Sequence, residues 1–239
     1  MTPEELTAAE NKLFERWVSS RSADEKFIPD GVPYPERYLA SDVKVLLILK
    51  EPHSADGGWD LRDYLRGNMV DTKTWDNASR WAQALQQLPS PPTWDDVAIR
   101  NQASRQAAIA AVGIMNLNKV AGGARTNPAK LKACTRANRA FLREQIALYS
   151  PDVTLLCGTA DFIPEVYSKA ELGDPIGNRD PFSRSSPALG CMICFSHPQQ
   201  SNRTHRELYE LLAVGASTAY TEYGAVRNAI TTPREKSNR

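Results

Sequence analysis

The sequence lacks most of what would mark a membrane, secreted or metal-held protein. Its 239 residues include only four cysteines, at 134, 157, 191 and 194, and three histidines. Four cysteines are too few for a disulfide framework in a chain of this length. No apolar run approaches the roughly 20 residues that span a bilayer. The start, Met1-Thr-Pro-Glu-Glu5, is acidic and unlike a signal peptide. These absences lead us to expect a cytoplasmic chain. The formal net charge is only +1, so any nucleic-acid surface must be a local patch and not a global bias. A Walker phosphate loop, a dinucleotide glycine fingerprint, H-E-x-x-H and G-x-S-x-G are all missing. No cofactor and no metal are expected. Cys191-x-x-Cys194 has metal or redox spacing, but it lies in a strand-like run, where residues three apart point to opposite faces. With no second such pair to complete a four-ligand site, these cysteines are read as core.

What is present is a set of short apolar runs. Val43 to Leu49 is nearly unbroken, as in a strand buried on both faces of a parallel sheet. It stops at Lys50-Glu51-Pro52-His53, where proline removes a ladder donor. Similar strands are expected at about Val112 to Leu117, at Val153 to Cys157 and at Cys191 to Ser196. Helices fall between them. Thr2-Pro-Glu-Glu5 is a capped helix start followed by Leu6, Ala9, Leu13 and Trp17. Helical stretches are expected near 60–66 and 74–88, from Thr93 to about Ala111, and from Pro128 to Tyr149. Residues 21 to 42 and Gly173 to Pro187 read as irregular connections. On the helix from Pro128, Lys132, Arg136, Arg139 and Arg143 share one face, which is read as a solvated stripe and not a nucleic-acid contact. Thr204-His-Arg-Glu207 is a capping box that opens a last helix. The fold class expected is a single three-layer α/β/α domain over residues 1–230, with a central four-stranded parallel sheet and a disordered basic tail at 231–239.

In open parallel sheets, ligands bind beyond the carboxyl ends of the strands. Glu51 and His53 stand past the first strand, Asn118 past the second and His197 past the fourth. If the strands are parallel neighbours, these side chains converge on one sheet edge.

The order of these motifs resembles the uracil-DNA glycosylase superfamily. Leu49-Lys-Glu-Pro-His53 stands where the family has G-Q-D-P-Y-H or G-x-N-P-G. Ile114-Met-Asn-Leu-Asn118 corresponds to a strand ending in Asn, and Pro151-Asp-Val-Thr-Leu-Leu-Cys-Gly158 to a P-D-V-like entry. Ser196-His-Pro-Gln-Gln-Ser-Asn202 corresponds to H-P-S-P-L. The likeness covers roughly residues 43 to 215. It implies a monofunctional DNA glycosylase that flips a non-standard pyrimidine out of double-stranded DNA and hydrolyses its N-glycosidic bond. Glu51 would position water and steady the sugar cation, Asn118 would read the base edge, and His197 would donate to the departing base. Lys50, His53 and Asn116 would approach the base. Gln199, Ser201, Asn202 and Arg203 would enter the duplex. Arg203, His205 and Arg206 either grip a phosphate or are ordinary helix-end polarity. The chain departs from the family at several points: Glu51 is longer than Asp, His53 replaces an aromatic or Gly, and Ser201 stands where some members carry a wedge leucine. The iron–sulfur branch's N-terminal cysteines are absent. The substrates that follow are uracil or a bulky modified cytosine, such as the glucosylated hydroxymethylcytosine of phage DNA that the superfamily's antiviral defence members excise. A monomer is expected. Alternatives are a catalytically inactive DNA-binding module of the same fold, a small-molecule nucleoside hydrolase, and a lyase variant through Lys50 or Lys119.

Overall fold

The N-terminal Thr2 builds the first helix. Its hydroxyl accepts the Glu5 N–H at 3.2 Å, while the Glu5 carboxylate accepts the Thr2 N–H at 2.7 Å. Two of the helix's unpaired donors are thereby satisfied. In this computed structural model the described residues are 1–22, 25–53, 57–67, 69, 72–99, 101–123, 125–176, 181–200 and 202–231, the last six as backbone only. The elements run α1 (Pro3–Ser19), α2 (Pro35–Leu39), β1 (Val45–Leu49), α3 (Leu61–Arg66), α4 (Lys73–Gln86), α5 (Trp94–Val97), α6 (Gln102–Ile109) and β2 (Val112–Asn116). They continue α7 (Pro128–Ala137), α8 (Arg139–Tyr149), β3 (Val153–Cys157), a 3-10 turn (Ala160–Glu165), β4 (Asp174–Ile176), β5 (Ser183–Ser186), β6 (Gly190–Phe195) and α9 (His205–Thr231).

The six strands form one mixed sheet in the order β2-β1-β3-β6-β5-β4. β2, β1, β3 and β6 are parallel, with Leu49 beside Asn116, and Cys157 beside Phe195. The four expected strands are therefore present and adjacent. The expectation of only four is corrected by β4 and β5, which add an antiparallel hairpin to the free edge of β6. The segment Ser183-Arg-Ser-Ser has no apolar alternation and so reads as loop. Its ladder is supplied by β6, and the Ser183 hydroxyl ties the hairpin by donating to the Ile176 carbonyl at 3.0 Å.

Alternate β1 residues feed two cores, as a strand covered on both faces requires. Val45, Leu47 and Leu49 pack with Leu65, Trp81, Leu85 and Leu208, whereas Leu46 and Ile48 pack with Leu13, Trp17, Tyr38 and Ile146. Full burial of each such side chain contributes about 2 kcal/mol. Cys191 belongs to the first core and Cys194 packs against the second. Their sulfurs lie on opposite faces, and burial pushes both thiols up, to about 12 and about 11.

Two expected long helices are broken, each by a side chain from elsewhere. The Thr93 helix ends at Val97 because the Arg80 guanidinium donates to the Val97 and Ala98 carbonyls at 3.0 and 2.9 Å, and Asn101 then caps α6. The Pro128 helix divides at Asn138, whose side-chain oxygen accepts the Trp17 indole N–H at 2.8 Å. The basic stripe is matched by carboxylates: Arg136 and Lys132 meet Glu165 at 2.6 and 3.3 Å, and Arg143 meets Glu171 at 2.6 Å. Residues 21 to 42 are also less irregular than they read. They contain α2, and Gly31 exchanges backbone hydrogen bonds with Ile114 at 2.8 and 3.0 Å. Gly31 has φ +133°, and a Cβ there would stand 2.2 Å from the Glu10 carboxylate, so glycine is needed. The tail at 232–239 lies outside the described residues. No described helix is long and apolar enough to cross a membrane.

Candidate active site

Because four parallel strands end in register, the segments after Leu49, Asn116 and Phe195 leave the same end of the sheet, with the end of β3 at Cys157 between Leu49 and Phe195. A cavity of 460 Å³ opens there, lined by Glu51, Pro52, His53, Asn116, His197 and Gln199 on the sheet side. Trp59, Tyr64 and Trp75 form an aromatic wall, with ring centroids 5.9 and 5.8 Å apart, and Thr72 and Thr74 add hydroxyls. A larger hollow of 720 Å³ shares Trp59 and Tyr64, but its carboxylates Asp60 and Asp63 are each held by an arginine at 2.7 Å. The smaller cavity is the one that gathers unlike chemical groups at the strand ends.

His197 is held as a neutral donor. Its Nδ1 accepts the Gln199 backbone N–H at 3.2 Å, so the ring proton resides on Nε2. Burial first, and then the Lys50 ammonium, push the imidazole down to about 4. The turn is anchored from two sides. Asn77 of α4 donates to the Pro198 carbonyl at 2.6 Å. Gly158, at φ +67°, lets β3's end approach so closely that a Cβ would stand 3.1 Å from the His197 Cβ. The depressed value carries a stability consequence. Above its ordinary 6.5 the ring is neutral in both folded and unfolded chains. As pH falls from 6.5 towards about 4, only the unfolded chain takes the proton, so stability is lost across that window and levels off below it. The loss is at most about 3 kcal/mol. Nitrogen NMR is expected to show the His197 ring protonated on Nε2 at neutral pH with a midpoint near 4. A midpoint above 6 would exclude this environment.

Glu51 is half-buried and lies over Gly122, where a Cβ would stand 2.3 Å from the carboxyl carbon. Backbone pairing brings the two together: the Gly122 N–H donates to the Pro52 carbonyl at 2.8 Å, and His53 bridges to Gly122. Asn118 is buried beside Glu51, its Nδ2 3.4 Å from Oε2, and does not line the cavity. Asn116 does line it.

The other expected residues divide. His53 is exposed at the cavity, and Gln199 is exposed at its edge. Lys50 acts on the His197 ring electrostatically but is not part of the lining. Asn202 is exposed and hydrogen-bonds Gln200; Arg203 is exposed; Arg206 pairs with Glu210 at 2.7 Å. His205 contacts the Arg80 guanidinium at 3.0 Å. Ser201 lies outside the described residues. Thr204 and Glu207 form the capping box of α9, at 2.7 and 3.2 Å.

Sequence reading missed the aromatic wall and Asp30. Trp59, Tyr64 and Trp75 come from three separate positions that no helical or strand period links. Pro29-Asp30-Gly31 reads as a turn. In the fold Asp30 is fully buried and accepts from Lys119 Nζ at 2.6 Å, Gln145 at 2.9 Å, and the Asn116 backbone and side-chain nitrogens at 2.7 and 3.3 Å. Gln145 continues to Tyr149 at 2.9 Å, and Tyr149 donates to Glu10 at 2.7 Å. Lys119 is wholly enclosed, and burial pushes its ammonium down against the opposing pull of Asp30. An enclosed, paired ammonium outside the cavity is not placed for lyase chemistry. Compared with models of protein families and with curated proteins, the chain matches none of them.

Proposed function

We propose that the chain is a monofunctional DNA glycosylase that accepts an everted, non-standard pyrimidine in the 460 Å³ cavity and hydrolyses its N-glycosidic bond. The observation that carries this reading is the presence of a carboxylate, Glu51, and a neutral imidazole donor, His197, on one cavity at the ends of two parallel strands, β1 and β6, that flank β3. The bond between sugar and base breaks with positive charge growing on the sugar and negative charge on the base. Glu51 stabilises the first and takes a proton from the water that attacks the anomeric carbon, as carboxylates do in glycoside hydrolysis. The Nε2–H of His197 stabilises the second, a contribution on the order of 3 kcal/mol for a fixed donor aimed at a developing anion. Eversion costs a few kcal/mol, which stacking on Trp59, Tyr64 or Trp75 helps to offset. Asn116, not Asn118, meets the base edge, since it alone of the two lines the cavity.

The size and the aromatic wall favour a base larger than bare uracil. Pockets of about 300–1,000 Å³ enclose drug-sized ligands, leaving room here for a substituent such as a hexose on hydroxymethylcytosine. Gln199, Asn202 and Arg203 would then lie against the opened duplex. The deciding experiment incubates the protein with uracil-containing duplexes and with phage DNA bearing glucosylated hydroxymethylcytosine, and separates released bases by chromatography. Free base and abasic sites are expected from at least one. Salt-dependent binding without base release would instead identify a binding module. Release from free nucleosides alone, which the net charge of +1 would suit, would identify a nucleoside hydrolase.

A further inference from the structure

We propose that Asn118 is a positioning residue that holds the Glu51 carboxylate at the cavity; the inference rests on the glycosylase reading for its chemical consequence. A side-chain amide has one accepting oxygen and one donating nitrogen, and its partners decide which way each points. The Asn118 Oδ1 accepts two donors, the Val120 backbone N–H at 3.2 Å and the Cys134 thiol at 3.2 Å. With the oxygen committed, the Nδ2 is left facing Glu51 Oε2 at 3.4 Å. Such long contacts are common in unliganded sites and tighten in complexes. Gly122 packs against the same carboxylate, because any Cβ there would displace it.

Asn116, two residues earlier, is committed in the opposite sense. The Asp30 carboxylate can only accept, and it takes the Asn116 Nδ2–H at 3.3 Å together with the backbone N–H at 2.7 Å. Its Oδ1 is thereby turned away from Asp30, on a residue that lines the cavity. The two asparagines divide the work: one presents an acceptor to the ligand and the other steadies the carboxylate behind it. Cys134 is a second support, since its thiol helps keep the Asn118 amide from turning over.

The test has an arm that needs no activity. The Asn118 side-chain amide resonances of wild-type protein are expected to shift on the substitution Glu51→Gln, which replaces the accepting Oε2. If the Asn118 amide is indifferent to that substitution while the Asn116 amide responds, the proposal is overturned. The kinetic arm compares Asn118→Ala with Cys134→Ala and Cys134→Ser. Asn118→Ala is expected to lower kcat by up to about a hundredfold, the scale of a misplaced catalytic group. KM and the ranking of substrate bases should be unchanged. Cys134→Ala, which leaves the Val120 contact in place, should lower kcat less, and Cys134→Ser should restore it. A raised KM or an altered ranking of bases in Asn118→Ala would make it a base reader and end the proposal. If no DNA yields free base, the glycosylase reading fails, and the amide arm still decides whether Asn118 and Glu51 are coupled.

Discussion

Glu51→Gln is expected to lower the rate of base release by about a thousandfold, in the middle of the range for a lost general base. The substitution keeps the length of the side chain and its contact with Gly122, where the carboxyl group sits. In the proposed mechanism it would remove the charge that faces the sugar cation and the oxygen that takes the water's proton. Single-turnover assays with excess protein isolate the chemical step. Affinity for substrate DNA, measured across a salt series, should barely change, because on this reading other residues would make the phosphate contacts. Loss of release with retained binding is the expected pattern. Undiminished release from Glu51→Gln would remove the residue on which the mechanism turns, and the cavity's chemistry would then have to be sought elsewhere.

The second large effect is expected away from the cavity, at the pair formed by Lys119 and Asp30. Both are fully buried, their charged atoms 2.6 Å apart, and the Lys119 ammonium also lies 5.2 Å from the Trp17 ring centroid. Breaking a buried pair by removing one partner leaves the other charge enclosed. Lys119→Met is therefore expected to lower stability by about 3–5 kcal/mol, a large share of the 5–15 kcal/mol typical of a domain. Asp30 would keep its bonds from Asn116 and Gln145 but lose the one cation paired with it among the described residues. Combining Lys119→Met with Asp30→Asn should recover much of the loss, because neither charge then remains. Denaturant unfolding at neutral pH, with the slope of the transition unchanged, measures both variants. A loss below about 1 kcal/mol in the single variant, the scale of an exposed ion pair, would show that water reaches this site.

The sheet and the site were legible to different degrees. Val43 to Leu49 announced a buried strand because covering a parallel strand on both faces leaves room for almost nothing but apolar side chains. The same holds for the runs at Val112, Val153 and Cys191. Those four strands, the capped starts at Thr2 and Thr204, and the opposite faces of Cys191 and Cys194 depend on neighbours within a few residues. Local sequence was sufficient for them. Placing Glu51 and His197 beyond strand ends was also a local inference, but their meeting on one cavity required the strand order and register.

Other features had no local signature. The β4–β5 hairpin exists because β6 offers an unpaired edge, and the breaks at Ala98 and Asn138 arise from Arg80 and Trp17, distant partners that claim backbone or side-chain groups. Which of Asn116 and Asn118 lines the cavity was decided by Asp30 on one side and by Val120 and Cys134 on the other. The sequence by itself determined the four parallel strands, the capped helix starts at Thr2 and Thr204 and which residues stand at strand ends, since those follow from side-chain periodicity and capping. Only the tertiary structure decided which polar groups are consumed by one another and which remain turned toward the cavity. A hydrogen bond depends on distance and direction between groups far apart in the chain, and no period in the sequence encodes either.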